Sequence, residues 1–101
     1  MNNKILSLLG FATKAGKLSF GFEACVSALN NKKAKLIIVA EDISQKSLKE
    51  ITFFAQKNNV EHIKTEGITM KTISDSVGRK CGIIAVNDIG FSEALLKASK
   101  G

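Results

Sequence analysis

Two short runs, Leu36-Ile37-Ile38-Val39-Ala40 and Ile83-Ile84-Ala85-Val86, are apolar at every position, even and odd alike. Successive strand side chains point to opposite faces, so a strand apolar on both parities must be covered on both. Helical periodicity surrounds these runs. Ile5, Leu8, Leu9 and Ala12 recur at i, i+3, i+4 and i+7, and Phe22, Cys25, Val26 and Leu29 repeat the spacing. A sheet held between helices buries both kinds of surface.

The other elements follow from local signals. Gly16 ends the first helix, and Leu18-Ser19 suits a short edge strand. The second helix runs from about Gly21 to Asn31 and turns Glu23, Ser27, Asn30 and Asn31 outward. Ser44 or Ser47 caps a third helix, the latter with Glu50 in a capping box, and Leu48, Ile51 and Ala55 point inward. Val60 to Thr65 reads as a more exposed strand. Ile68 and Ile73 flank Thr69 as a hydrophobic staple around an N-cap, and that helix stops at Gly78. A last helix begins near Gly90 with Phe91, Ala94, Leu95 and Ala98 inward. Strands separated by helices imply right-handed crossovers. The predicted fold class is therefore α/β, a three-layer α/β/α sandwich with a small, mainly parallel or mixed sheet. With 101 residues, no proline and no linker composition, one domain over residues 1–101 is expected. No apolar run approaches the roughly 20 residues of a membrane span, and no cleavable leader pattern is present, so a soluble protein is expected.

Charge supplies the partner class. The formal net charge is +6, and every cation except Arg79 is a lysine. Lysine suits phosphate as a point charge, whereas arginine is the usual bidentate reader of base edges. Lys14 and Lys17 precede the second helix, Lys32, Lys33 and Lys35 follow it, and Arg79 and Lys80 lie between Gly78 and Gly82. A glycine-led helix start among these cations offers free N–H groups to phosphates or unpaired bases. Nucleic acid is the first partner to test.

Catalytic and metal chemistry find little support. His62 is the sole histidine, and Cys25 and Cys81 are too isolated for a disulfide framework or a zinc site. Cys25 falls on the apolar helix face. Cys81, between Lys80 and Gly82, could have a lowered pKa but is more simply a small loop residue. Glu41, Asp42 and Asp88 follow the apolar strands, where open sheets place ligands and where caps are also routine. No glycine-rich nucleotide cradle follows a strand. A non-enzymatic protein without metal or cofactor is expected, with reduced thiols that suit the cytoplasm.

The segments AGKLSFGFEACVSAL, NKKAKLIIVAED and VGRKCGIIAVND resemble the ribosomal protein L-seven-Ae family, in particular its small bacterial branch. The resemblance covers Leu6 to about Leu96. It implies recognition of kink-turn RNA, possessing tandem sheared G·A pairs, through the start of helix two and the loop before the last strand. Carried over, the first element is Gly21, Phe22, Glu23, Ala24 and Ser27; the second is Gly78 with Arg79, Lys80 and Cys81 at the loop tip. Lys14, Lys17, Lys32, Lys33 and Arg79 would supply phosphate contacts, and a monomer associated with ribosomal or other ribonucleoprotein RNA is expected. Archaeal and eukaryotic members carry Gly-Thr-Asn-Glu and then a lysine. Here Glu23 stands for the asparagine, Ala24 for the guanine-reading glutamate and Ser27 for the lysine. Each lost base contact would cost about 1–3 kcal/mol, by analogy with base readout in DNA. Two rival readings follow. One is a protein-interaction module that presents Phe20 and Phe22 to a protein partner. The other is a small enzyme with Asp42 and Asp88 sharing a strand-end crevice.

Overall fold

A computed structural model describes residues 2–100. The chain runs α1 (Asn2–Lys14), β1 (Leu18–Phe20), α2 (Phe22–Asn30), β2 (Leu36–Val39), α3 (Gln45–Lys57), β3 (Glu61–Lys64), α4 (Met70–Val77), β4 (Ile83–Val86) and α5 (Ile89–Lys100). The strands form one four-stranded sheet in the order β1-β4-β2-β3.

The double parity of β2 and β4 divides between two cores. Leu36, Ile38, Ile84 and Val86 pack with Ile5 and Leu9 of α1, Ile73 and Val77 of α4 and Leu95 of α5. Ile37, Val39, Ile83 and Ala85 pack instead with Cys25, Ala28 and Leu29 of α2 and Ile51 and Ala55 of α3. Helices α1, α4 and α5 thus cover one face, and α2 and α3 the other. The three-layer α/β/α sandwich stands as expected.

Strand direction differs from the mainly parallel alternative. Only β2 and β3 pair in parallel; β4 is antiparallel to both β1 and β2, so the sheet is mixed. The physical reason is that apolar residues on both parities report cover on both faces, not strand direction. After α4 the chain does not extend the sheet beyond β3. It inserts β4 between β1 and β2, and a strand entering there from the far end is antiparallel to both.

Helix starts are set by short polar side chains. Ser44 rather than Ser47 caps α3, and its Oγ accepts from the Ser47 N–H at 3.1 Å. Ser47 therefore lies inside the helix, and the Ser47–Glu50 capping box does not form. Thr69 caps α4 by accepting from Thr72 N–H at 3.3 Å, between the buried Ile68 and Ile73 of the staple. Gly78 closes α4 in the left-handed conformation, φ 76°.

Ile84 is fully buried and pairs with Phe20 on one side and Ile38 on the other. Ile84→Ala should cost about 2–5 kcal/mol of folding stability. Urea unfolding followed by circular dichroism measures this, and a loss under 1 kcal/mol would contradict the central role of β4.

Candidate nucleic-acid interface

The start of α2 is open. Gly21, its N-cap, has φ 92° and ψ 164°, and no side-chain oxygen caps the helix. That backbone region is essentially restricted to glycine. The Gly21 N–H donates to Ile83 O at 2.9 Å, and its carbonyl accepts from Cys25 N–H at 3.0 Å. The amides of Phe22, Glu23 and Ala24 then lie in the first turn, where a helix supplies no acceptor of its own. By contrast, Ser44 and Thr69 close α3 and α4, and Asp88 Oδ2 accepts from Phe91 N–H at 2.8 Å at the start of α5.

The bond from Gly21 to Ile83 also fixes what stands beside this opening. Ile83 begins β4, so the Gly78–Gly82 loop arrives next to the α2 start. Arg79 reaches across it, its guanidinium carbon 5.0 Å from the centroid of the Phe20 ring. Lys80 is exposed. Gly82 is held close: a Cβ there would come within 2.9 Å of Ile43 Cδ1 and of Met70 Cγ. Glu23, Ala24 and Ser27 are exposed along the outer face of α2. The Glu23 carboxylate sits at the positive end of the helix dipole, a favourable placement that a phosphate would share.

Cys81 requires a correction. It is not part of the loop tip but is only 6% exposed, and its N–H donates to Ser74 Oγ at 3.1 Å. Burial raises its thiol pKa above the ordinary value, against a smaller lowering by Arg79. The tip consists of Arg79 and Lys80. Ser74, which ties Cys81 down, was invisible in sequence because the bond spans α4 and the loop.

The lysines divide. Lys14 lines a surface groove between α1 and α4 that also includes Gly78, which puts it near the loop. Lys17 lies at the other end of the sheet, where its carbonyl accepts from Asn87 N–H at 2.8 Å. Lys32 and Lys33 follow the last turn of α2; Lys32 Nζ donates to Asn58 Oδ1 at 2.7 Å. Lys35 N–H donates to Val86 O, which marks this as the far end of β4.

The same topology separates the two carboxylates of the enzyme reading. Val39 pairs with Ile83 and Leu36 with Val86, so Asp42 and Asp88 lie beyond opposite ends of the sheet. A strand of four residues, about 13 Å at the usual rise, stands between them. Asp42 Oδ1 accepts from Met70 N–H at 2.8 Å, Glu41 Oε2 from Gly67 N–H at 2.8 Å, and Asp88 is the α5 cap. All three are structural ties, and the shared crevice does not form. Phe20 and Phe22, the pair of the protein-module reading, are half-buried: Phe20 packs on one core and Phe22 on the other. Among the described residues the large exposed apolar side chains are Phe11, Phe53 and Ile89. Phe53 could have been noticed in the sequence, because it falls off the Leu48-Ile51-Ala55 stripe of α3. Among the described residues no group of His, Cys, Asp and Glu could hold a metal, and no helix is long and apolar enough to cross a membrane.

These features define a small α/β/α sandwich in which the open start of α2 and a basic loop join into an exposed rim. The chain belongs to the Ribosomal protein L7Ae/L30e/S12e/Gadd45 family, whose model matches residues 3–96. RNA-binding protein YlxQ of Bacillus subtilis is 30% identical over 90 residues, 88% of each chain. Large ribosomal subunit protein eL30 of Yarrowia lipolytica is 33% identical over 91 residues, 86% of this chain and 81% of its own. Among solved structures, a protein of unknown function from Bacillus halodurans superposes with a TM-score of 0.91 at 26% identity, covering 97% of this chain and 98% of that one. The Giardia lamblia 15.5kD RNA binding protein superposes at 0.79 with 12% identity, over 98% of this chain and 84% of its own, which shows the shared fold. The family resemblance read from the sequence is thereby established. The named relatives are RNA-binding and ribosomal proteins rather than enzymes, and the non-enzymatic reading rests on them.

Two outcomes test the geometry of the rim. Gly21→Ala should lower stability by about 1–3 kcal/mol through backbone conformation alone, because nothing lies within 4 Å of the added Cβ. Urea unfolding of Gly21→Ala beside Ala24→Gly separates this from general helix weakening. Burial pushes the Cys25 thiol up from 9.0 to about 12 and raises that of Cys81. Below pH 9 both thiols stay mostly protonated, folded or unfolded; above it the unfolded chain ionises first, so the contribution of Cys25 to stability falls towards pH 12 and that of Cys81 falls in the same direction. At pH 8 an aromatic disulfide reagent should therefore label both only as fast as the chain opens.

Proposed function

We propose that this protein binds structured RNA of the kink-turn type, with the α2 start set in the widened groove and the Arg79–Lys80 tip over the extruded nucleotide. The observation that carries the reading is the open N-terminus of α2, held against the first residue of β4 so that the basic loop stands beside it. Family membership and the names of the relatives support RNA as the ligand. Uncapped first-turn amides at Phe22, Glu23 and Ala24 offer donors to base edges or phosphate without any side-chain reader. This suits a chain in which Ala24 and Ser27 carry no base-reading group.

The phosphate contacts follow the helix. An RNA strand laid along the outer face of α2 passes Glu23, Ala24, Ser27 and Asn30 and meets Lys32 and Lys33 at its end. Nine residues of helix give about 13.5 Å of track. Lys14 reaches the same RNA from the Gly78 side, and Lys17 contributes to the general field. The protein acts as a monomer on ribosomal or other ribonucleoprotein RNA in the cytoplasm.

Affinity for a kink-turn RNA should weaken linearly in log–log form with salt, with Arg79→Ala reducing the slope by about one phosphate contact. Replacing the sheared G·A pairs by Watson–Crick pairs should weaken binding at least tenfold, measured by calorimetry at fixed salt. Equal affinity for both RNAs would reject kink-turn recognition. Glu23→Gln should strengthen binding by about two- to fivefold, because it removes a carboxylate that repels phosphate and competes with it for the positive end of the helix dipole, a charge effect of roughly 0.3–1 kcal/mol. The protein-module reading has its own measurement: if replacing Phe20 and Phe22 by Ser removes a protein partner while RNA binding is untouched, that reading wins.

A further inference from the structure

A groove of about 470 Å³ opens between α2 and α3, lined by Phe22, Lys46, Lys49, Glu50, Phe53 and Phe54. Its volume falls in the range of small-molecule sites, about 300–1,000 Å³. Its floor is aromatic. Phe53 and Phe54 meet edge to face, centroids 5.4 Å apart, and Phe54 meets Phe22 in the same way at 6.4 Å. Phe54 and Phe22 are half-buried, whereas Phe53 is 61% exposed. The exposed ring thus rests on Phe54, which is itself packed against Phe22 and the core.

Lys46 and Lys49 stand at i and i+3 on α3, neighbours on one helix face. Among the described residues the one ion pair joins Lys71 and Asp75, so neither groove lysine is paired. Glu50 is the single acid in the lining. The groove also adjoins the rim: Phe22, which forms its wall, directly follows Gly21 at the open start of α2.

We infer that this groove takes an unpaired nucleotide of the bound RNA, its base stacked on Phe53 and its phosphate held between Lys46 and Lys49. The inference rests on the RNA reading above and extends it to a second contact beyond the helix start and the basic loop. Aromatic stacking with a flanking cation tolerates any base, which suits a chain with few base-reading side chains. A second copy of the chain is a poorer occupant, because a net charge of +6 sets cations against cations across the contact.

The test uses the full chain and two RNAs: a kink-turn duplex alone, and the same duplex extended by unpaired nucleotides that carry 2-aminopurine. Wild type should bind the extended RNA about tenfold more tightly and quench the probe. Phe53→Ser, an exposed change, should lose both the gain and the quenching while binding the plain duplex as wild type does. A joint Lys46→Gln and Lys49→Gln variant should lose most of the gain and make it less salt-dependent. An equal gain in wild type and Phe53→Ser would overturn the inference, as would an extension that adds nothing to a duplex that is bound. Failure of wild type to bind even the plain duplex would instead remove the RNA reading itself. Phe53-dependent dimerisation in sedimentation, or Phe53-dependent binding of an acidic aromatic peptide without any nucleotide effect, would assign the groove to another occupant and overturn the proposal.

Discussion

β4 lies between β1 and β2, antiparallel to both, and the placement of the proposed RNA-binding rim follows from that pairing. Its first residue, Ile83, accepts the Gly21 amide, so the chain entering β4 is bound to the chain entering α2. The basic loop and the open helix start thereby become neighbours although nearly sixty residues separate them. The same pairing sends Asp42 and Asp88 to opposite ends of the sheet and leaves each to tie down a helix start. One hydrogen-bonding choice in the sheet both assembles the rim and removes the rival crevice.

The rim remains available because the helix that forms it is finished differently from α3, α4 and α5. Serine, threonine and aspartate side chains satisfy the first turns of α3, α4 and α5. Gly21 has no side chain to do so, and its extended positive-φ backbone would strain any other residue. Rigidity comes from beneath, through buried Cys25, Ala28 and Leu29. The proposed binding groups therefore project from a packed element, which would need little ordering to take a ligand.

Much of this was legible in the chain itself. The two doubly apolar runs announced a covered sheet, the i, i+3, i+4 spacings located the helices, and Thr69 and Gly78 marked both ends of α4. Those signals are local, because burial and capping act on residues close in sequence. Strand direction was not legible: apolar residues on both parities look the same in either orientation. The position of Cys81 was hidden because the Ser74 hydroxyl that anchors it sits on the other side of a turn. The aromatic groove was hidden for a similar reason, since Phe22 and Phe54 meet only when α2 lies against α3. Cation function was half legible. The count of lysines follows from composition, but their division between the two ends of the sheet depends on topology.

What the sequence alone determined is the set of parts: covered strands, amphipathic helices, a glycine that only a special backbone would need, a surplus of lysine, and a family likeness carried by short segments. Each follows from side-chain chemistry acting over a turn or a strand. What only the tertiary structure decided is which parts touch. The order β1-β4-β2-β3 made a rim from Gly21 and the Arg79 loop and parted the carboxylates, and the packing of α2 on α3 set Phe53 beside its aromatic floor. Such contacts depend on long-range hydrogen bonds and packing between layers, and no periodicity in the chain encodes them.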